Sequence, residues 1–125
     1  MLTESIEQLQ DVLNAGRPEA SEEPELADLT PWRDRIDALD GAIIHLLNER
    51  ASCAIAIGHI KKAMHMPVYV PAREEQVLQN VMHTNPGPLQ DQAVRRLYER
   101  IIDETRSLER QMQEAGRRSE QEEDE

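Results

Sequence analysis

The sequence predicts an all-α fold with a three-helix protomer, long then short then long. Three observations carry this reading, and the pairing of two such protomers in an intertwined helical homodimer rests on the cation spacing and the resemblance given below. The composition is that of a helical protein, with no Phe, 2% aromatic residues and many Leu, Ile, Ala, Glu, Arg and Gln. Apolar residues recur at three-four spacing over long stretches, and no run alternates in the manner of a strand. Proline-bearing breaks at Pro67 and at NPGP (Asn85 to Pro88) divide those stretches cleanly.

Taken in order, residues 3–14 suit a short amphipathic helix, with Thr3 as its cap and Ile6, Leu9 and Leu13 on one side. Gly16 to Pro31 reads as an acidic linker with three prolines. The long helix runs from about Trp32 to Met64, with Ile36, Leu39, Ile43, Leu46, Leu47, Ala54, Ile57 and Ile60 in helical register. Pro67 stops it, and Trp32 beside Pro31 pins its start. Pro71 suits the first position of a short helix, with Glu74 and Glu75 in its favourable first turn and Val77, Leu78, Val81 and Met82 on its apolar side. The last helix runs from about Gln90 to Met112. Val94, Leu97, Tyr98, Ile101, Ile102, Thr105 and Leu108 face inward, and EAGRRSEQEEDE beyond them is a fraying tail. The domain limits that follow are an acidic extension over 1–30, a helical domain over 31–112 and an acidic tail over 113–125.

The net charge of −11 is unevenly placed. Residues 1–30 hold eight acids against Arg17, residues 111–125 hold six against Arg117 and Arg118, and residues 31–110 are balanced. Acidic ends argue against nucleic acid or an anionic membrane as partner, but not against a small anion meeting a local cluster of cations. No apolar stretch is long enough to span a membrane, and the first residues lack the basic start and apolar run of a signal peptide. Cys53 is the single cysteine, which leaves no intramolecular disulfide and suits a reducing, cytoplasmic compartment. Set among Ala and Ile, it reads as inert packing. The four histidines (45, 59, 65 and 83) have no paired ligand spacing, so no metal is expected.

The long helix poses a physical question. Arg50 lies seventeen residues after Arg33, and Lys61 eleven after Arg50. At ~100° per residue each step returns to within ~20° of the same side, which is also the side of Ile36, Ile43, Leu47, Ala54 and Ile57. One account has the stems packed and the heads snorkelling or paired with acids of a neighbouring helix. The other is an anion site. Arg50 and Lys61 are ~16 Å apart along the axis, within reach of one small molecule, whereas Arg33 is ~25 Å from Arg50. If all three serve one anion, Arg33 must come from an antiparallel second copy. A helix ~48 Å long, poorly covered by two shorter ones, points to the same interlocked dimer with two equivalent sites. Gly58, one turn before Lys61, costs ~1 kcal/mol against alanine and suits a close helix approach, although a tolerated glycine reads the same way. The arginines 95, 96, 100, 106 and 110, interleaved with Glu99, Asp103 and Glu104, read mostly as a solvated helix face.

With Arg33 in WRDRIDALD, Arg50 in LLNERA, Lys61 in IGHIKK, then PVYVPAREE and GPLQDQAVRRLYERIIDETRSLE, the chain resembles the all-helical chorismate mutases over about residues 32–110. The resemblance implies conversion of chorismate to prephenate, toward phenylalanine and tyrosine, in an intertwined dimer without cofactor. It implies that Arg33 reaches a substrate carboxylate from the partner chain, that Arg50 binds a carboxylate in its own chain, and that Lys61 touches the ether oxygen and a carboxylate. Arg73 and Glu74 match the start of the second helix, where the glutamate binds the ring hydroxyl. Thr105 matches a small hydroxyl residue near the ring carboxylate, and Glu109 the residue that hydrogen-bonds the ether oxygen. Lys61, Glu109 and Arg50 are thereby the expected catalytic set.

Two positions depart from the common pattern. Val70 stands where an aspartate is often found, so a helix cap worth ~1 kcal/mol is absent and the hydroxyl falls more to Glu74. Glu109 often has glutamine as its counterpart. A carboxylate repels the ether oxygen whereas a protonated acid donates to it, so activity is expected to fall as pH rises. Two rivals remain. An isochorismate pyruvate lyase uses the same scaffold, though PVYVPAREE and RLYERIIDETRSLE look more like the mutases. A non-catalytic helical dimer that binds or regulates another shikimate-pathway enzyme is favoured only by residues 1–30, which the resemblance does not cover. Retention of every matched cation favours catalysis.

Overall fold

The computed structural model describes the backbone of residues 2–124 and the side chains of residues 3–4 and 6–115. Among the described residues four α-helices form: α1 (Leu2–Ala15), α2 (Leu29–Ala63), α3 (Pro71–Thr84) and α4 (Asp91–Asp124), with a 3-10 turn at Leu26–Asp28 leading into α2. Among the described residues there is no strand. The long, short, long order of α2, α3 and α4 is the expected one, and α1 makes a fourth helix beyond the three-helix protomer. The chain divides into two compact units, Met1–Arg50 and Ala51–Glu125, with α2 running from one into the other.

In the first unit, α1 begins at Leu2, so Thr3 lies inside the helix rather than capping it. Its other end stops at Gly16, whose φ of +72° suits a residue without Cβ. Arg35 of α2 donates from Nη1 to the carbonyls of Val12 (2.5 Å) and Gly16 (2.7 Å). The Val12 carbonyl is one that a helix end leaves without an intrahelical partner, and Gly16 follows the last helical residue. α2 starts three residues ahead of Trp32. Pro31 sits in its first turn, where a missing N–H costs no intrahelical bond. The linker therefore gives up Leu26 to Pro31 to helical structure. Glu25 and Asp28 hold this entry as a capping box.

In the second unit, α2 ends four residues before Pro67. His65 takes φ +55° while its N–H bonds the Lys62 carbonyl (3.2 Å) and that of Met66 bonds the Lys61 carbonyl (2.8 Å). This is a Schellman closure with histidine where glycine is usual. Val70 is the N-cap of α3 and makes no side-chain cap bond, as its apolar side chain requires, with Pro71 following at the first helical position. Between α3 and α4, Asn85 donates to the Leu89 carbonyl (2.7 Å) and to Asp91 Oδ1 (2.9 Å), and accepts from Gly87 N–H (3.1 Å). α3 packs on α4. The core of this unit is small: Ala54, Leu78, Val94 and Ile102.

Several expectations of burial do not hold in the single chain. Ile36, Ile43, Leu46, Ile57 and Ile60 of α2 and Leu97 of α4 are all exposed, and so is Cys53. Beyond Met112, where the sequence reads as a polar tail, α4 continues as helix to Asp124. Its added turns are mostly Glu, Gln, Arg and Ala, good helix formers whose propensity outweighs the one glycine.

Candidate active site

The second unit brings four chemically relevant side chains into two pairs. At the last turn of α2, Lys61 Nζ donates to Glu109 Oε2 of α4 (3.0 Å) and to the carbonyl of Val68 (2.9 Å) in the loop that follows. Glu109 is only 7% exposed and is the buried charged residue among those described. A carboxylate so placed needs the Lys61 cation as partner. Gly58 is buried one turn earlier. A Cβ there would lie 3.5 Å from Glu109 Cγ and 3.7 Å from its Cα, an ordinary contact distance. The two helices thus approach closely at the Lys61–Glu109 pair, but not so closely that only glycine fits.

The second pair joins α3 to α4. Arg106 donates from Nε to Glu74 Oε2 (3.1 Å) and from Nη2 to Glu74 Oε1, a two-pronged grip on one carboxylate. Its Nη2 also lies 3.2 Å from Asp103 Oδ1, and its guanidinium carbon is 4.7 Å from the centre of the Tyr69 ring. The hydrogen bonds from Arg106 to Glu74 raise the Arg106 pKa further above its ordinary value. This corrects the solvated-face reading of Arg106, which is partly buried against a predicted site residue. Sequence spacing along α4 gave no sign of it, because its partner lies 32 residues away on another helix.

The remaining predicted residues take simpler positions. Thr105, half-buried, donates to the Ile101 carbonyl one turn back (2.8 Å). Arg73 is exposed and donates to Gln76 Oε1 (2.7 Å). In the first unit Arg33 is exposed and Arg50 half-buried on α2. One turn of α4, Thr105 to Glu109, therefore bonds both Lys61 of α2 and Glu74 of α3. Outside that cluster, Arg95, itself half-buried, bridges Glu75 (2.9 Å) and Glu99 (3.1 Å), and Arg100 pairs with Glu104 (2.7 Å) on the solvated face expected of it. Among the described residues no group of three His, Cys, Asp or Glu side chains is placed to hold a metal ion, and no helix is long and apolar enough to cross a membrane.

A mixed cluster of this kind, an ammonium and a guanidinium set against two carboxylates, can bind an anion and a hydroxyl and can stabilise a growing negative charge. Comparison with known proteins narrows the chemistry. The profile of the chorismate mutase type II family matches residues 32–110. A bifunctional chorismate mutase/prephenate dehydratase of Neisseria gonorrhoeae is 44% identical over 82 residues, covering 66% of this chain and 22% of that protein. A protein of the same description from Aquifex aeolicus is 34% identical over 91 residues, covering 70% of this chain and 25% of that protein. This chain spans about a quarter of the length of those relatives. A solved chorismate mutase structure from Thermus thermophilus (Form II) superposes with a TM-score of 0.65 at 32% identity, covering 66% of this chain and 93% of that one. The all-helical architecture, the order of its helices and these matches lead to one assignment: the chain belongs to the chorismate mutase type II family.

Proposed function

We propose that this chain rearranges chorismate to prephenate, without a cofactor, in a cytoplasmic homodimer whose mutase domain spans residues 31–112. The observation that carries the reading is the Lys61–Glu109 pair, 3.0 Å apart and shielded at the end of α2, in a chain of this family. The reaction is an intramolecular 3,3-sigmatropic rearrangement in which a C–O bond breaks as a C–C bond forms. It needs no nucleophile and no obligatory proton transfer. Catalysis then consists of holding a dianion in its folded conformer and stabilising charge on the ether oxygen as the C–O bond lengthens.

Each residue has a part in this. Arg50 pairs with a carboxylate in its own chain, and Arg33 of a second copy reaches the other, each guanidinium matching a planar carboxylate. Arg73 adds positive charge at the start of α3. Glu74 accepts the ring hydroxyl, and Thr105 lies near the ring carboxylate. Lys61 turns from Glu109 toward the ether oxygen and a carboxylate; a donor so placed is worth about 3–4 kcal/mol in the transition state. Glu109 matches the residue that faces the same oxygen, and it holds Lys61 in place beside it. The second copy is supported by the exposed isoleucines along α2, with Ile43 at 50% and Ile57 at 47%, an apolar face that an antiparallel partner helix would cover.

Chorismate turnover by the purified chain, followed across about pH 5 to 9 with products separated by chromatography, tests the reading. Prephenate is the expected product. Salicylate and pyruvate from isochorismate would instead identify a lyase, and no turnover of either substrate would leave a binding module.

A further inference from the structure

Glu74 and Glu75 are neighbours on α3, and an arginine of α4 grips each through both carboxylate oxygens, yet the two carboxylates differ in shielding. Arg95 is nearly as sheltered as Arg106, but the Glu75 side chain it holds is 52% exposed. Water competes for that carboxylate, and the pair suffices as a tie between the helices. Arg106 and Glu74 are both partly shielded, at 23% and 22%, and the guanidinium takes both carboxylate oxygens while resting on Tyr69. A fork of this kind fixes the plane of the carboxylate as well as its place. Both oxygens keep lone pairs free for a further donor. A dianion entering beside Glu74 and Glu109 also meets two carboxylates, and each has its own cation: Arg106 for one, Lys61 for the other.

We propose that Arg106 is a positioning residue of the substrate site, holding the Glu74 carboxylate fixed and charge-balanced so that it accepts the substrate hydroxyl next to a dianion. The inference rests on the mutase reading above and on Glu74 as the hydroxyl acceptor. Arg106 touches neither the breaking nor the forming bond, so its loss weakens binding of ground and transition states alike and appears in KM rather than kcat.

A double-mutant cycle on the full chain tests it. Arg106→Met raises KM for chorismate about tenfold with kcat within about twofold of wild type. In the Glu74→Gln background, where a neutral amide needs no counter-cation, the same substitution changes KM by less than about twofold. Arg95→Met, which breaks the tie to the exposed Glu75, leaves KM unchanged. Circular dichroism melts establish that each variant is folded, and Arg106→Gln replaces Arg106→Met should the latter fail to fold. An unchanged KM in Arg106→Met overturns the proposal, and so does an equal loss in both backgrounds, since Arg106 then acts independently of Glu74. A wild type that turns over no chorismate overturns the mutase reading and takes this proposal with it, a result distinct from an active wild type with an indifferent Arg106.

Discussion

Lys61 Nζ lies 3.0 Å from Glu109 Oε2, and the same ammonium is 2.9 Å from the Val68 carbonyl, so one cation ties the end of α2 both to α4 and to the loop that opens α3. In this arrangement Glu109 accepts from Lys61. A hydrogen bond to the ether oxygen needs a donor at this position. Glu109→Gln, whose amide donates, should keep kcat/KM within about tenfold of wild type, whereas Glu109→Ala should lower it about a hundredfold or more. Equal kcat/KM in wild type and Glu109→Ala would sink this role for Glu109.

Glu75 offers a pH effect independent of catalysis. Its hydrogen bonds from Arg95, and then from Gln79, hold its pKa at about 2 instead of the ordinary 4.5. The folded state thus binds this proton less readily than the unfolded chain. The stability so contributed is present above about pH 4.5 and is lost as pH falls toward 2. NMR titration of the Glu75 carboxyl should give a midpoint near 2, and Arg95→Ala should move it up toward 4.5. An unmoved midpoint would remove Arg95 as the cause.

His65 closes α2 at φ +55°, a conformation that costs a residue with Cβ about 1 kcal/mol and glycine almost nothing. His65→Gly should stabilise the protein by up to about 1 kcal/mol, less the entropy that glycine adds to the unfolded chain. The midpoint of urea unfolding should rise with no change in slope. A fall in midpoint would mean that the imidazole makes a contact outweighing the backbone strain.

Arg35 holds the C-terminal carbonyls of α1 with a charged donor. Arg35→Ala should speed hydrogen exchange of the α1 amides by about tenfold while α3 and α4 keep their protection. Unchanged exchange in α1 would show that its attachment rests on apolar contacts instead.

The helices, their order and their breaks were legible in the sequence because helical periodicity and proline chemistry are local. Ile36 to Ile60 announces α2, Pro71 the start of α3 and Asn85 to Pro88 the turn before α4 from residues within a few positions of each other. The alignment of Arg33, Arg50 and Lys61 is likewise a property of one helix and follows from its pitch alone. What only the tertiary structure decided is which partner each long side chain takes. Arg106 sits in a run of arginines and glutamates that reads as solvated, and only the packing of α3 on α4 brings Glu74 to it. Arg35 reaches carbonyls 19 and 23 residues back, and Lys61 finds a carboxylate 48 residues on. These pairings are made through space, between charges on flexible stems. Their energies depend on distance and shielding rather than on spacing in the chain, so no local pattern could have announced them.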